Sequence, residues 1–235
     1  MPANPALADR LDAVHARIRR ACEQTGRDPA SVALLAVSKT RPAEDIRALH
    51  AAGIHRFGEN YPSEADPKQQ ALADLAIEWH FIGPVQSNKT RALATAFDWI
   101  QSVDRAKIVR RLADQRPADR PPLNVLLQVN IDREARKAGC APDALDELAG
   151  AVSARPELVL RGLMAIPAPV RAGGDARAPF AALRACFDRL RRDHRSMDTL
   201  SMGMSADLEA AIAEGSTMVR IGTALFGPRE RRPDG

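Results

Sequence analysis

A chain of 235 residues that is 45% hydrophobic and 27% charged can bury the core of one barrel-sized domain and is too apolar to stay disordered. Its 34 basic and 30 acidic residues leave a net charge of +4, and the dense runs Arg189-Leu190-Arg191-Arg192 and Arg229 to Arg232 are short; they read as solvated faces rather than as a nucleic-acid groove interleaved with aromatics. Cys22, Cys140 and Cys186 lack metal-ligand spacing, and no apolar run approaches the ~20 residues of a membrane span, so thiolate metal chemistry and a spanning helix are not expected.

The opening segment, Pro5 to Gln24, spaces Leu7, Leu11, Val14 and Ile18 by three and four, which predicts an amphipathic helix stopped by Gly26. It is polar rather than leader-like, and with three unpaired thiols the expectation is a cytoplasmic protein. The run Val32 to Val37 is continuously aliphatic, the habit of a strand buried on both faces in a parallel sheet. It ends abruptly at Ser38-Lys39-Thr40. Helix is expected over Pro42 to Ala52, a short strand near Arg56 to Asn60, then helix again before a strand at Glu78 to Gly83. Further helix–strand pairs follow at Gln86 to Ala96 with Phe97 to Val103, and at Arg105 to Arg116 with Leu123 to Asn130. Asp143 to Ser153 (helix) and Leu160 to Ile166 (strand) precede a Pro- and Gly-rich loop, Pro167 to Asp175. Helix from Pro179 to Arg192, strand Thr199 to Met204, helix Ala206 to Glu214 and strand Met218 to Thr223 complete the series.

Eight strands in strict alternation with helices predict an α/β fold, a single (β/α)8 TIM-type barrel with an extra N-terminal helix against its bottom or side, spanning residues 1–235 as one domain. An open doubly wound sheet is the alternative, and no GxGxxG turn supports it. Barrel chemistry sits at the C-terminal ends of the strands. Those ends carry Ser38-Lys39, Glu59-Asn60, His80 with Gly83, Asn130, Met164 to Ile166, Ser201 to Ser205 and Arg220 to Thr223. A lysine closing a buried aliphatic run is partly desolvated, which frees its amine for attack on a carbonyl; otherwise Lys39 merely extends from the strand end into water. The seventh and eighth strands end in Ser201-Met202-Gly203-Met204-Ser205 and Arg220-Ile221-Gly222-Thr223. Either alone reads as a tight turn or a helix cap; together they read as a phosphate cradle, the usual anion position in barrels. Arg220, within an aliphatic strand, needs a buried acceptor, and His80 between Trp79 and Phe81 reads as a core histidine satisfied by a backbone carbonyl.

Several long motifs are also familiar as a set: Ala36-Val37-Ser38-Lys39-Thr40, Phe57-Gly58-Glu59-Asn60-Tyr61, Trp79 to Lys89, Gly162 to Pro167, Ser201 to Ser205 and Val219 to Thr223. In order and spacing, from about Leu34 to Gly227, the chain resembles the YggS family, the pyridoxal phosphate homeostasis proteins also called PLPBP or PROSC. The resemblance implies the barrel of the alanine racemase N-terminal domain (fold type III) and pyridoxal 5′-phosphate held as an internal aldimine on Lys39. It implies phosphate contacts from Ser201, Ser205, Gly222 and Thr223, and Arg220 facing the pyridine nitrogen, which disfavours strong carbanion chemistry. Asn60, His80, Met164 and Met204 fall on motifs that line the pocket. The chain departs from the family pattern at Arg136-Lys137-Ala138-Gly139 and in the Arg- and Gly-rich loop after Pro169.

The function so implied is binding, buffering and delivery of the cofactor to apo-enzymes that depend on it, by a monomer without robust catalysis, with neither nucleic acid nor membrane as partner. The alternative is a cofactor-dependent enzyme such as an amino-acid racemase, which needs an acid/base on each face of the cofactor. Tyr61, the single tyrosine, lies just beyond the second strand, and few residues remain for a second domain. A nucleic-acid or partner module using the arginine-rich surface is a weaker option. Lys89 and Lys137, near loops, are candidates for transient cofactor linkage during transfer.

Overall fold

The computed structural model describes residues 5–168 and 175–228; the Arg229 to Arg232 run and most of the Pro167 to Asp175 loop lie outside them. Eight parallel strands close into a barrel in sequence order, β1 beside β2 and so on until β8 returns to β1. The strands are β1 (Ala33–Val37), β2 (Arg56–Glu59), β3 (Glu78–Phe81), β4 (Trp99–Val103), β5 (Leu123–Gln128), β6 (Leu158–Met164), β7 (Thr199–Ser201) and β8 (Met218–Ile221). The helices are α1 (Pro5–Gln24), α2 (Ala43–Ala51), α3 (Pro62–Ala71), α4 (Thr90–Ala96), α5 (Ala106–Gln115), α6 (Leu145–Ser153), α7 (Ala178–Leu190), α8 (Leu208–Ala213) and α9 (Thr223–Phe226).

Every predicted strand forms, with shifted ends. The stretch predicted as the seventh strand stops at Ser201 because Gly203 turns the chain at φ +92°, and a side chain there would press its Cβ to 2.5 Å from Ala211 Cβ. Helix predicted from Gln86 starts at Thr90, because Gln86 to Lys89 forms a turn closed by the Lys89 N–H on the Gln86 carbonyl.

Strand alternation sorts the apolar side chains into two layers. Leu34 and Ala36, Trp79 and Phe81, and Ile100 belong to the large shell between strands and helices. Leu35 points the other way, and Trp99, Leu126 and Met164 form a separate small cluster in the lumen. Polar groups share the lumen with them: His80, Gln101, Ser201 and Arg220 are all buried there. α1 lies along α8 and α9 on the barrel's flank, fixed by the Arg17–Glu209 pair at 2.7 Å and by Arg17 Nη1 on the Ser205 carbonyl at 2.9 Å.

The register of β5 against β6 slips between Val125 and Leu126, placing Gly162 opposite Leu126 on one side and Thr199 on the other. Gly162 sits at φ +150°, and a Cβ there would fall 1.8 Å from the Thr199 carbonyl oxygen. That contact is with backbone and cannot be relieved by a side-chain rotation. Gly162→Ala should therefore destabilise the protein by about 3 kcal/mol, read as a lowered midpoint in denaturant unfolding, whereas Gly150→Ala, with open space at its Cβ, should not.

Candidate functional site

Lys39 stands in a tight turn directly after β1, closed by the Arg41 N–H on the Ser38 carbonyl at 3.0 Å. Its neighbour Thr40 has φ +64°, a left-handed conformation that a β-branched residue adopts only when its surroundings hold it. They do. The Thr40 N–H donates to the Glu64 carboxylate, and the Ser38 N–H donates to the Gly58 carbonyl at 3.0 Å. Lys68, nearly buried on α3, donates to the Ser38 carbonyl (2.9 Å), to Glu59 Oε1 (2.8 Å) and to Glu64 Oε1 (2.7 Å). The Ser38 hydroxyl donates to the same Glu59 oxygen at 2.6 Å. Burial pushes the Glu59 carboxyl up, while the bonds from Lys68 and Ser38 pull it down. Its second oxygen, Oε2, is buried and unpartnered in the structure.

Beside this turn, on the neighbouring strand end, Gly222 leads into Thr223 at the start of α9, and the Ala224 N–H donates to the Ser205 hydroxyl at 3.2 Å. A small hollow of about 30 Å³ is lined by Val37, Lys39, Thr40, Arg41, Gly222 and Thr223. The lysine and the proposed anion turn thus face one space. Arg220, one strand position inside, is 3% exposed; its Nη1 donates to the Ser201 carbonyl and hydroxyl at 2.8 Å each, and its Nη2 to the Ala165 carbonyl at 2.9 Å. Desolvation lowers its pKa to about 10, so it remains a cation at neutral pH.

The other sequence candidates separate by depth. Asn60 follows β2 at the mouth, its Oδ1 buried without a partner. Met204 is partly exposed at the rim, its N–H bonded to Asp207, and Met164 closes the lumen cluster. His80 differs from the expectation of a backbone partner: its Nε2 meets Glu78 Oε1 and its Nδ1 meets Gln101 Nε2, each at 2.9 Å, because β3 turns it into a polar lumen rather than toward the helices. Ser201 is engaged with Gln101 and Arg220 instead of opening to the rim. Lys137 is paired with Asp132 at 2.7 Å, Lys89 is exposed ahead of α4, and Tyr61 is 56% exposed ahead of α3. Two residues escaped the sequence reading: Lys68, whose helix carries a weak apolar pattern and an internal Pro67, and Gln101, a mid-strand amide with no motif around it. A much larger cavity, about 950 Å³, opens at the N-terminal end of the barrel among Arg56, Glu78, Trp99, Arg161 and Asp198, away from Lys39.

Residues 10–230 match the family model described as alanine racemase, N-terminal domain. The chain is 59% identical over 224 residues to the pyridoxal phosphate homeostasis protein of Pseudomonas aeruginosa, covering 95% of this chain and 96% of that one. It belongs to the pyridoxal phosphate homeostasis protein family. Among solved structures, that of PipY from Synechococcus elongatus with pyridoxal phosphate bound is 36% identical and superposes with a TM-score of 0.81 over 94% of this chain and all of that one (100%). An alanine racemase from Clostridium difficile, at 13% identity and a TM-score of 0.71, shares the barrel fold over 98% of this chain and 58% of its own length.

In this member of the family the Lys39 turn depends on a buried ion cluster, and breaking one partner of such a cluster strands the other. Lys68→Met should lower unfolding stability by about 3 kcal/mol, and Lys68→Met combined with Glu59→Gln should recover part of that loss in the same denaturant titration.

Proposed function

We propose that this chain binds pyridoxal 5′-phosphate at the C-terminal mouth of its barrel, through a covalent bond from Lys39 Nζ, and that it holds and delivers the cofactor within the cell. The observation that carries the reading is the hollow into which Lys39, Gly222 and Thr223 open together. When bound, the cofactor supplies an aldehyde, a ring nitrogen and a phosphate, and each has a matching group among these residues. Lys39 offers an amine at the end of a desolvated strand. Ser205, Gly222 and Thr223 offer a hydroxyl and the first N–H groups of a helix, which lack acceptors inside it. Arg220, whose described hydrogen bonds go only to neutral oxygens, has N–H groups left for a ring nitrogen and can only donate to it. A donor there keeps that nitrogen unprotonated, which suits storage better than carbanion chemistry. The unpartnered Asn60 Oδ1 and the Met204 side chain line the approach; Met164 and His80 act from deeper, through their neighbours.

The support for a delivery role is the naming of close relatives as homeostasis proteins, including the P. aeruginosa protein. The recipients in this reading are apo-enzymes that use the same cofactor, and the chain acts as a monomer of one domain. The three free cysteines fit the reducing cytoplasm. No helix among the described residues is long and apolar enough to cross a membrane.

Visible absorption of the purified protein with the cofactor tests the covalent bond. Wild type should show a bound band that Lys39→Ala abolishes; an undiminished band in the variant would place the bond elsewhere. Ser205→Ala and Thr223→Val should each weaken binding about tenfold, the scale of one lost hydrogen bond to a charged group, while leaving the band position unchanged.

A further inference from the structure

The polar lumen holds an unbroken chain of hydrogen bonds running most of the barrel's length. Arg220 Nη1 donates to the Ser201 hydroxyl (2.8 Å), which donates to Gln101 Oε1 (2.7 Å). Gln101 Nε2 meets His80 Nδ1 (2.9 Å), and His80 Nε2 meets Glu78 Oε1 (2.9 Å) at the rim of the 950 Å³ cavity. Each link allows one direction. Arg220 can only donate, so the single hydroxyl proton of Ser201 is left for Gln101. Gln101 then accepts with its oxygen and must donate with its nitrogen, so His80 Nδ1 is the acceptor and Nε2 carries the proton toward Glu78.

We propose that Gln101 is a positioning residue for the cofactor's ring-nitrogen contact: it aligns a one-way relay from the Arg220 cation to the Glu78 anion and so fixes the guanidinium toward the mouth. The inference rests on the reading of Arg220 as the partner of the ring nitrogen. Gln101 is fully buried and used at both ends, with Met218 Sδ at 3.2 Å as a further neighbour of its nitrogen. Aligned dipoles in a low-dielectric lumen reinforce one another, and here they lead from a cation without a described carboxylate partner to a distant carboxylate.

The charged and aromatic groups around His80 agree with this direction. Glu78 faces it from its own strand, Arg56 from β2 is paired with Glu78 at 3.0 Å, and Asp98 precedes β4. The Trp99 ring stacks on His80 at 5.1 Å, and the Arg161 guanidinium from β6 lies over that indole at 4.8 Å. Burial lowers the His80 pKa and leaves the ring neutral; burial opposes ionisation of Glu78, yet the hydrogen bond from His80 and the Arg56 cation hold its carboxyl below the usual carboxylate range.

Two measurements test the relay. Side-chain nitrogen NMR of the cofactor-free protein should find His80 neutral with its proton on Nε2; a proton on Nδ1 in wild type overturns the proposal. In Gln101→Glu the new carboxylate accepts from both sides, so the proton affinity of His80 should rise at least tenfold. With pyridoxal phosphate added, the visible band of wild type should not change from mildly acid to mildly alkaline pH. Gln101→Met should bind the cofactor at least tenfold more weakly and gain a pH-dependent band, whereas Gln101→Glu, which still accepts from Ser201, should keep the wild-type band. A Gln101→Met protein with wild-type affinity and an invariant band also overturns the proposal; if that variant does not fold, Ser201→Ala cuts the same link and is judged by the same criteria. Should wild type show no band at all, the functional reading fails, and the His80 tautomer then decides the relay by itself.

Discussion

Arg220 lies buried in the axis of the barrel, and no described hydrogen bond joins it to a carboxylate. A guanidinium in that position must have acceptors on every side that is sealed from water, and those acceptors must be held by groups that are themselves satisfied. Much of the lumen follows from this need. β7 is short and turns at Gly203, which brings the Ser201 carbonyl and hydroxyl to the guanidinium, and the end of β6 supplies the Ala165 carbonyl. Gln101 and His80 occupy lumen positions where an aliphatic barrel would place leucine or valine, because Ser201 requires an acceptor and Gln101 in turn requires a place for its amide hydrogens. The apolar remainder of the lumen includes Leu35, Met218 and the Trp99, Leu126 and Met164 cluster.

The lysine turn is a second arrangement of the same kind, built outside the lumen. Thr40 holds a left-handed conformation that costs roughly 1–3 kcal/mol, and the turn is kept by bonds to the Thr40 N–H, the Ser38 carbonyl and the Ser38 hydroxyl. All of these lead to Glu59 at the end of β2 and to Glu64 and Lys68 on α3. The position of Lys39 is thereby set by the adjacent β/α unit as well as by its own strand. The hollow between Lys39 and Gly222-Thr223 exists because β1 and β8 are neighbours where the barrel closes.

What the sequence made legible follows the physical range of each signal. The strand cores read clearly because a parallel strand covered on both faces must be aliphatic throughout, as in Leu34 to Val37 and Val125 to Leu127. Lys39 and Arg220 stood out because charge is rare in such runs. Element ends read less well where turn geometry overrides hydropathy, as at the strand end before Gly203 and at the Gln86 to Lys89 turn ahead of α4. Lys68 and Gln101 were silent because their importance arises from distant partners that the closed sheet brings together, such as Ser38, 30 positions from Lys68, and Ser201, 100 positions from Gln101. His80 was visible as a residue but not in its role: local sequence shows neither which face of β3 it takes nor that Gln101 will meet it.

The claim that joins these parts is that one amine among five lysines, Lys39, carries the cofactor. Borohydride reduction of the wild-type protein with equimolar pyridoxal phosphate, followed by peptide mass mapping, tests it most directly. The account predicts that the reduced cofactor is found on the peptide containing Lys39; label confined to Lys89, Lys137 or another lysine, with Lys39 unmodified, would contradict it.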